Sequence, residues 1–384
     1  MPLDERESWP AASGTGPASC GRLLGFVSAL GIAVAMACGP WQADRTPPAG
    51  ASLVLVDTVL LAEPDTAYVA RAGGLAVGPN QLIYVADQVS ARVYAYHRTG
   101  QLAGIVGRRG QGPGEFLQPL RIAFSGDSLL IVSDLNPRTL HLFRLPSLAP
   151  IREVFVEGIL TDVQARNDTV FMAVARNAQN TGLAVLPAGK TVVEFRGMRP
   201  PRYRRWTTFE RYVSPAAMAL SGDTIAVAYS AYNGVFFYDL GGRLLGAVTL
   251  PAVRRRSISP NAGNEPLAGK TINTKNALFS TAYAATRLSS GTLAFVHFDF
   301  SYTGTSPSVQ GFLSLLSADR KSACIDARIP LSQDSFGQAA FRGDTLFTVD
   351  QTVSDGSRAR SVVRAYVISA ASCTWIRTGS LIDD

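Results

Sequence analysis

The sequence contains very little lysine, histidine or cysteine. Four lysines and three histidines occur in 384 residues, so the net charge of +7 comes almost entirely from arginine. This positive net charge is by itself weak evidence for an anionic partner. The chain has no CxxC or HExxH motif, no Cys/His cluster and no G-x-S-x-G or S-x-x-K pattern. We therefore predict no metal site, no cofactor and no catalytic triad.

Long apolar runs are also scarce, and the one that stands out covers residues 23–38. It has sixteen residues, follows Arg22, and is shorter than the roughly 20 residues of a membrane-spanning helix, which is typical of a signal peptide. It ends in Ala-Met-Ala-Cys and resembles a bacterial lipoprotein signal, in which Cys38 would be lipidated. Cleavage after Ala37 and a retained membrane anchor are the alternatives. All three place the protein outside the cytoplasm, and we expect an outer-membrane or periplasmic lipoprotein.

A polar turn followed by a short apolar, β-rich run recurs six times. The intervals between copies are 40 to 70 residues, a period typical of solenoids and propellers. The copies are PNQLIYVADQ (79–88), GDSLLIVSDL (126–135), NDTVFMAVAR (167–176), GDTIAVAYSA (222–231), SGTLAFVHFD (290–299) and GDTLFTVDQT (343–352).

Each copy predicts the second strand of a four-stranded blade, and no segment has a helical hydrophobic period. Gly, Asp and Asn occupy the turns, which favour residues that accept positive φ. The sequence thus predicts an all-β protein: a signal peptide over 1–38, a linker over 39–50 and one six-bladed β-propeller over 51–384. We expect residues 53–61 to close the ring by pairing with the last blade, and 362–379 to supply that blade's outer part.

The segments YVADQVSARVYAY (84–96) and GRRGQGPGEFLQPLRIA (107–123) resemble the NHL-type six-bladed propellers of exported bacterial proteins. Asp87 and Arg92 match that family's pattern, whereas Ser90 replaces its usual Asn. A shortened version follows in Asp134, Asn136 and Arg138. The resemblance extends over 71–145, and the later blades rest on periodicity alone.

Four aspartates, Asp87, Asp134, Asp299 and Asp350, are predicted to end second strands. The resemblance implies that each caps its own turn by accepting backbone N–H groups. The alternative is a calcium or catalytic metal at the mouth of the central channel, as in gluconolactonase-like propellers.

Three further motifs have structural interpretations. Gly107, Gly110, Gly112 and Gly114 suggest a connection between blades rather than a phosphate loop, because no helix follows them. His141 and His297 are expected to pack inside strands. Cys324 and Cys373 are expected to be partly buried thiols in neighbouring outer strands, with a disulfide as the alternative.

Arginine-rich segments are the best functional lead. In a propeller, connections from an outer strand to the next inner strand emerge on one face, together with the turns between second and third strands. That topology should gather several basic loops. The candidate binding residues are Arg108, Arg109, Arg202, Arg204, Arg205, Trp206, Arg254, Arg255 and Arg256.

We therefore predict an exported binding module whose basic face engages an anionic or peptide partner at the cell envelope. The partner would be an acidic protein, a polysaccharide or a lipid headgroup, and not nucleic acid, which does not fit the compartment. A metal-dependent lyase or hydrolase acting at the central channel is the competing class. A purely structural platform in an envelope assembly is the third.

Overall fold

The structure of the protein is a computed structural model that shows a ring of six antiparallel sheets. It describes residues 48–64, 67–175, 177–179, 181–198, 215–229, 233–255, 276–303, 306–331, 338–352 and 360–381. Across these ranges, no helix is long and apolar enough to cross a membrane. The predicted six-bladed β-propeller with four-stranded blades is confirmed.

The first three blades follow one another along the chain, each running from its innermost to its outermost strand. Blade one comprises β2 (Ala72–Val77), β3 (Ile83–Asp87), β4 (Arg92–Tyr96) and β5 (Leu102–Val106). Blade two comprises β6 (Pro119–Ser125), β7 (Leu129–Asp134), β8 (Thr139–Arg144) and β9 (Ala149–Phe155). Blade three comprises β10 (Ile159–Arg166), β11 (Thr169–Ala175), β12 (Thr181–Leu186) and β13 (Glu194–Met198).

Blades four and five each have a short fifth strand, and blade six takes its outermost strand from the start of the described chain. Blade four comprises β14 (Pro215–Ser221), β15 (Thr224–Tyr229), β16 (Gly234–Asp239), β17 (Leu244–Thr249) and the short β26 (Gly379–Ser380). Blade five comprises β18 (Asn276–Arg287), β19 (Leu293–Thr303), β20 (Ser306–Leu316), β21 (Ser322–Ile329) and the short β25 (Ile376–Arg377). Blade six comprises β22 (Gln338–Arg342), β23 (Thr345–Thr352), β24 (Arg360–Ser369) and β1 (Ser52–Leu60).

The ring is closed by β1, the first strand of the described chain. It pairs antiparallel with β24, from Ser52 opposite Ser369 to Leu60 opposite Val362. One sheet therefore combines the first strand with β22, β23 and β24, and blade six has a fourth strand only because β1 supplies it. The predicted closure by residues 53–61 is confirmed.

The segment after β24 departs from the prediction. Because β1 occupies the outer position of blade six, the chain beyond Ser369 leaves that blade and crosses its neighbours. Ile376 pairs with Ala323 at the edge of blade five, and Gly379 pairs with Thr249 at the edge of blade four. The prediction that residues up to 379 complete blade six is wrong, and these residues cover two sheet edges instead.

A disulfide bond joins Cys324 to Cys373, with 5.6 Å between their Cα atoms. The expectation of two thiols assumed that both cysteines lie in outer strands of different blades. Cys373 instead lies in the crossing segment, where the amide of Thr374 donates to the carbonyl of Ala49 (2.8 Å). That path carries Cys373 to β21 and brings the two sulfur atoms together.

The backbone conformation of the turn after each innermost strand explains the polar residues in the recurrent sequence motif. The residue after the innermost strand has a positive φ at Gly126 (53°), Gly222 (55°) and Gly343 (55°). In blade three, Asn167 and Asp168 adopt 50° and 58°. These values lie in the region that glycine, asparagine and aspartate tolerate best, so the turn residues direct each chain reversal.

The hydrophobic core is divided among the six spaces between neighbouring blades. Each space holds one cluster of buried side chains, for example Phe237 with Phe295 between blades four and five. Because every sheet is covered on both faces, second strands such as β3 are buried along their whole length. Near-continuous apolar strands follow from this arrangement.

We expect the substitution Cys373→Ser to lower the free energy of unfolding by about 2–4 kcal/mol, because a crosslink between residues far apart in sequence restricts the unfolded chain. The measurement is denaturant unfolding of the mature protein. Cys324→Ser should give the same loss, since both substitutions remove one bond. An unfolding midpoint that neither substitution nor reducing agent changes would contradict the prediction.

Candidate functional site

The first connection between blades shows which loops share a face. The guanidinium of Arg109, in the segment between β5 and β6, donates to the carbonyl oxygen of Val89. Val89 lies in the turn between β3 and β4. Outer-to-inner connections and turns between second and third strands therefore meet on one face, as predicted. We call this surface the connection face.

The glycine-rich segment is a folded connection. Glu115 accepts hydrogen bonds from the amide of Gly112 (2.8 Å) and from Nε of Arg108 (2.7 Å). These bonds, that from Gly112 above all, hold the pKa of the Glu115 carboxyl below its usual value. The amide of Gly114 donates to Glu153 (3.0 Å). The chain's own carboxylates bind these amides, which supports the structural interpretation. Arg108 stays 76% exposed.

The arginine-rich connection between β17 and β18 is anchored to blade five at its start. The carboxylate of Asp326 accepts hydrogen bonds from the amides of Val253 (2.6 Å) and Arg254 (2.8 Å). Nε of Arg255 lies 3.0 Å from Oδ1 of Asp326, and both side chains are only 1% exposed. Arg255 also donates to the carbonyl of Leu250 (2.6 Å). Burial lowers the pKa of the Arg255 guanidinium, an effect that Asp326 opposes.

The candidate binding residues thus separate into two groups with different environments. Arg255 is an internal anchor, so the expected surface role does not apply to it, whereas Arg254 and Arg108 are exposed. Adjacent arginines in a sequence can differ this way because one points into the protein and the next points out. The remaining candidates, Arg202, Arg204, Arg205, Trp206 and Arg256, lie outside the described residues, as do Cys38 and the predicted signal peptide.

Two of the four aspartates cap turns as predicted. Asp87 accepts the amides of Val89 (3.1 Å) and Ser90 (3.1 Å), and also that of Arg71 (2.8 Å) in the strand entry. Asp134 accepts the amides of Asn136 (3.1 Å), Leu117 (2.6 Å) and Gln118 (2.8 Å). Each carboxylate therefore joins its own turn to the chain entering its blade.

The other two aspartates do not end their strands. Asp299 lies inside β19, where it accepts a hydrogen bond from the hydroxyl of Ser280. Asp350 lies inside β23 and is bonded to the guanidinium of Arg364. The expectation that these two residues end their strands is wrong, because blades five and six have longer second strands. The turns that follow, at 304–305 and 353–359, lie outside the described residues, so their capping stays a prediction. Throughout the described chain, no group of three acidic, histidine or cysteine side chains could hold a metal ion.

Both strand histidines are packed, as expected. The ring of His141 stands edge-on to Phe116, with 4.8 Å between ring centroids. His297 is buried beside Arg255, and burial, with that neighbouring positive charge, holds the pKa of its imidazole well below the usual value. His297 is therefore neutral at neutral pH.

A second candidate site lies inside the central channel. A cavity of about 210 Å³ is lined by the innermost strands β2, β6, β10, β18 and β22. Most of the lining is small or apolar, and its polar side chains are Arg121, Asp162, Gln164, Tyr283 and Thr286.

Bulges bring two of these polar residues to the same level of the ring. In blades one to four, the pairing between first and second strands shifts by one residue near the start of the blade. The residues just after the shift are Gly74, Arg121, Asp162 and Ala217. A side chain at position 74 would collide with the carbonyl oxygen of Leu120. Glycine at that position therefore allows β2 and β6 to approach closely beside Arg121.

Arg121 is oriented across the channel. Its Nε donates to the carbonyl oxygen of Thr161 (2.7 Å), and its Nη1 donates to that of Tyr283 (3.3 Å). The guanidinium carbon also lies 4.6 Å from the ring centroid of Tyr283, a cation–π contact. The hydroxyl of Tyr283 in turn accepts a hydrogen bond from Gln338 (3.0 Å).

Asp162 joins two blades at the same level. Its carboxylate accepts the amides of Val163 (2.8 Å) and of Met218 (2.7 Å), which belongs to the next innermost strand. Burial raises the pKa of Asp162 to about 6, although Arg121 and these hydrogen bonds act in the opposite direction. The channel residues were not predicted from the sequence. A charged residue inside an otherwise apolar first strand, as in LRIAF and LTDVQ, was the available signal.

Known proteins resemble this chain in structure but not in sequence. No protein-family model matches the chain, and no curated protein sequence matches it. Among solved structures, it is similar to a DUF4221-family member from Bacteroides vulgatus, with a TM-score of 0.58 and 9% identity over 83% of this chain and 99% of that one. A second is a putative exported protein from Bacteroides fragilis, with a TM-score of 0.53 and 9% identity over 83% of this chain and 95% of that one.

A virginiamycin B lyase from Staphylococcus aureus has a TM-score of 0.48 and 9% identity over 82% of this chain and 99% of that one. Likeness at these identities shows the fold alone. The chain is a six-bladed β-propeller, and a propeller fold by itself implies no particular activity.

We expect Asp326→Asn to lower the free energy of unfolding by about 3–5 kcal/mol, because it leaves the buried Arg255 without its counter-charge. The measurement is denaturant unfolding. The double variant Asp326→Asn with Arg255→Met should recover part of this loss. A single variant as stable as the wild type would show that the pair does not anchor the loop.

The raised pKa of Asp162 predicts a pH-dependent contribution to stability. The folded state favours the protonated carboxyl, so the contribution is present below the unfolded value of 3.8 and is lost as pH rises through about 6. In the Asp162→Asn variant this change is absent. Its stability relative to the wild type should therefore rise by about 2 kcal/mol between pH 4 and 7. Chemical unfolding of both proteins across that range is the measurement, and a constant difference would contradict the assignment.

Proposed function

We propose that the protein is an exported binding propeller of the NHL type, whose connection face engages an anionic or peptide partner at the cell envelope. The partner is an acidic protein, a polysaccharide or a lipid headgroup. Lipidation of Cys38 attaches the protein to the membrane, in agreement with the lipoprotein-like sequence that ends at that residue.

The observation that carries this proposal is the topology of the connections. Residues 199–214 join β13 to β14, and residues 250–275 join β17 to β18, so both are outer-to-inner connections like the one that contains Arg108. Together they contain Arg202, Arg204, Arg254 and Arg256 among their arginines. Arginine binds carboxylate and phosphate groups through two parallel hydrogen bonds, which suits an anionic partner.

Two further observations support export. The disulfide between Cys324 and Cys373 is typical of an oxidising compartment. One structural neighbour is described as a putative exported protein. Both agree with the signal-like segment at residues 23–38.

The enzymatic alternative has less support from the geometry. Its proposed ligands, Asp87 and Asp134, each accept three backbone hydrogen bonds, so their oxygen atoms are committed to holding turns and strand entries. A hard cation needs six or more oxygen ligands that converge on one point. Metal analysis of the purified protein tests this alternative directly.

Charge reversal tests the proposed binding face. We expect a variant with Arg202, Arg204, Arg205, Arg254 and Arg256 changed to Glu to lose its envelope partner, because attraction becomes repulsion. Arg255 is left unchanged, since it is buried in an ion pair. The measurement is in-cell crosslinking followed by pull-down of the mature protein.

The matched control carries Arg144→Glu and Lys190→Glu. Both residues are exposed: Arg144 is the last residue of the third strand β8, and Lys190 lies in the connection between β12 and β13, so both lie on the opposite face of the propeller. The control should capture the same partner as the wild type. If the reversed variant is folded and still captures that partner, the connection face is not the binding surface.

A further inference from the structure

Arg121 lines the central cavity without an ion-pair partner among the described residues. It contacts the carbonyl oxygens of Thr161 and Tyr283 and the ring of Tyr283. Charged side chains taken out of bulk water are normally paired with an opposite charge. A half-buried cation whose direct contacts are all neutral groups is therefore suited to receive an anion.

The guanidinium is held in place before any ligand arrives. Thr161 comes from blade three and Tyr283 from blade five, so Arg121 of blade two is fixed by two other blades. Nη2 has no hydrogen-bond acceptor in the described part of the chain. Because Nε and Nη1 are already bonded, Nη2 and the second hydrogen of Nη1 remain for a ligand. Such preorganisation reduces the entropy lost on binding.

Asp162 is the acidic residue that lines the same cavity, and it is close enough for Arg121 to lower its pKa. It does not act as a salt-bridge partner, since its oxygens face the amides of Val163 and Met218. The carboxylate of Asp162 therefore bonds to backbone amides of the sheets, whereas the guanidinium of Arg121 extends across the channel.

We propose that the central channel is a binding site for a small oxyanion, a carboxylate or phosphate group, held by the guanidinium of Arg121. The cavity of about 210 Å³ is smaller than the roughly 300–1,000 Å³ of pockets for drug-sized ligands, so the ligand is a small acid or a single anionic group. Thr286, which lines the same cavity, provides a neutral hydrogen-bonding group, whereas the side chain of Gln164 hydrogen-bonds Asp162. This site is separate from the connection face.

Isothermal titration calorimetry of the mature protein with inorganic phosphate and with succinate tests the proposal. Wild type should bind at least one probe. Arg121→Gln should weaken that binding by about tenfold or more, because a hydrogen bond to a charged group is lost. Arg144→Gln is the matched control: Arg144 lies in the same blade but is exposed, away from the channel, and its removal should leave the affinity unchanged.

A second variant tests the proposal even if Arg121→Gln does not fold. Ala284→Leu places a larger side chain at the cavity lining and leaves Arg121 intact, so it should also weaken binding, while thermal unfolding reports whether each variant is folded. Phosphate and succinate distinguish the two ligand classes. Equal affinity in wild type and both folded variants, or no binding of either probe to wild type at millimolar concentration, overturns the proposal.

Discussion

The antiparallel pairing of β1 with β24 is the interaction on which the rest of the structure depends. Six sheets arranged around an axis each need a neighbour on both faces, and this is possible only when the ring closes. Closure by the first strand brings the two ends of the propeller into one sheet. It also displaces the final segment, which then covers the edges of blades four and five. The disulfide is a consequence of the same displacement.

Closure makes the inner strands converge, and convergence explains the chemistry of the channel. Space at the axis is limited, and small residues such as Gly74, Ala76 and Ala284 line it. Arg121 and Asp162 are exceptions among these small residues, and each connects its own blade to another through hydrogen bonds. The same convergence that requires small side chains thus leaves a small cavity at the axis with a preoriented cation.

Aspartate and arginine side chains have different roles where loops enter the blades. Asp87, Asp134 and Asp326 bind backbone amides that would otherwise be unpaired where loops enter blades. Arg255 neutralises one of these carboxylates in the interior, while Arg254 faces solvent. An arginine-rich loop in a sequence is therefore a mixture of anchors and accessible residues, and only contacts with the rest of the chain distinguish them.

Local chemistry was sufficient to predict the repeat, the turns and the closing strand, because turn residues and apolar runs act over a few positions in sequence. The β-propeller class and the caps formed by Asp87 and Asp134 follow from such signals. The Cys324–Cys373 bond, the burial of Arg255 and the meeting of Arg121 with Tyr283 involve residues far apart in sequence or depend on which way a side chain points. These features arise only when the ring closes, since closure determines which strand is outermost and which side chains meet at the axis.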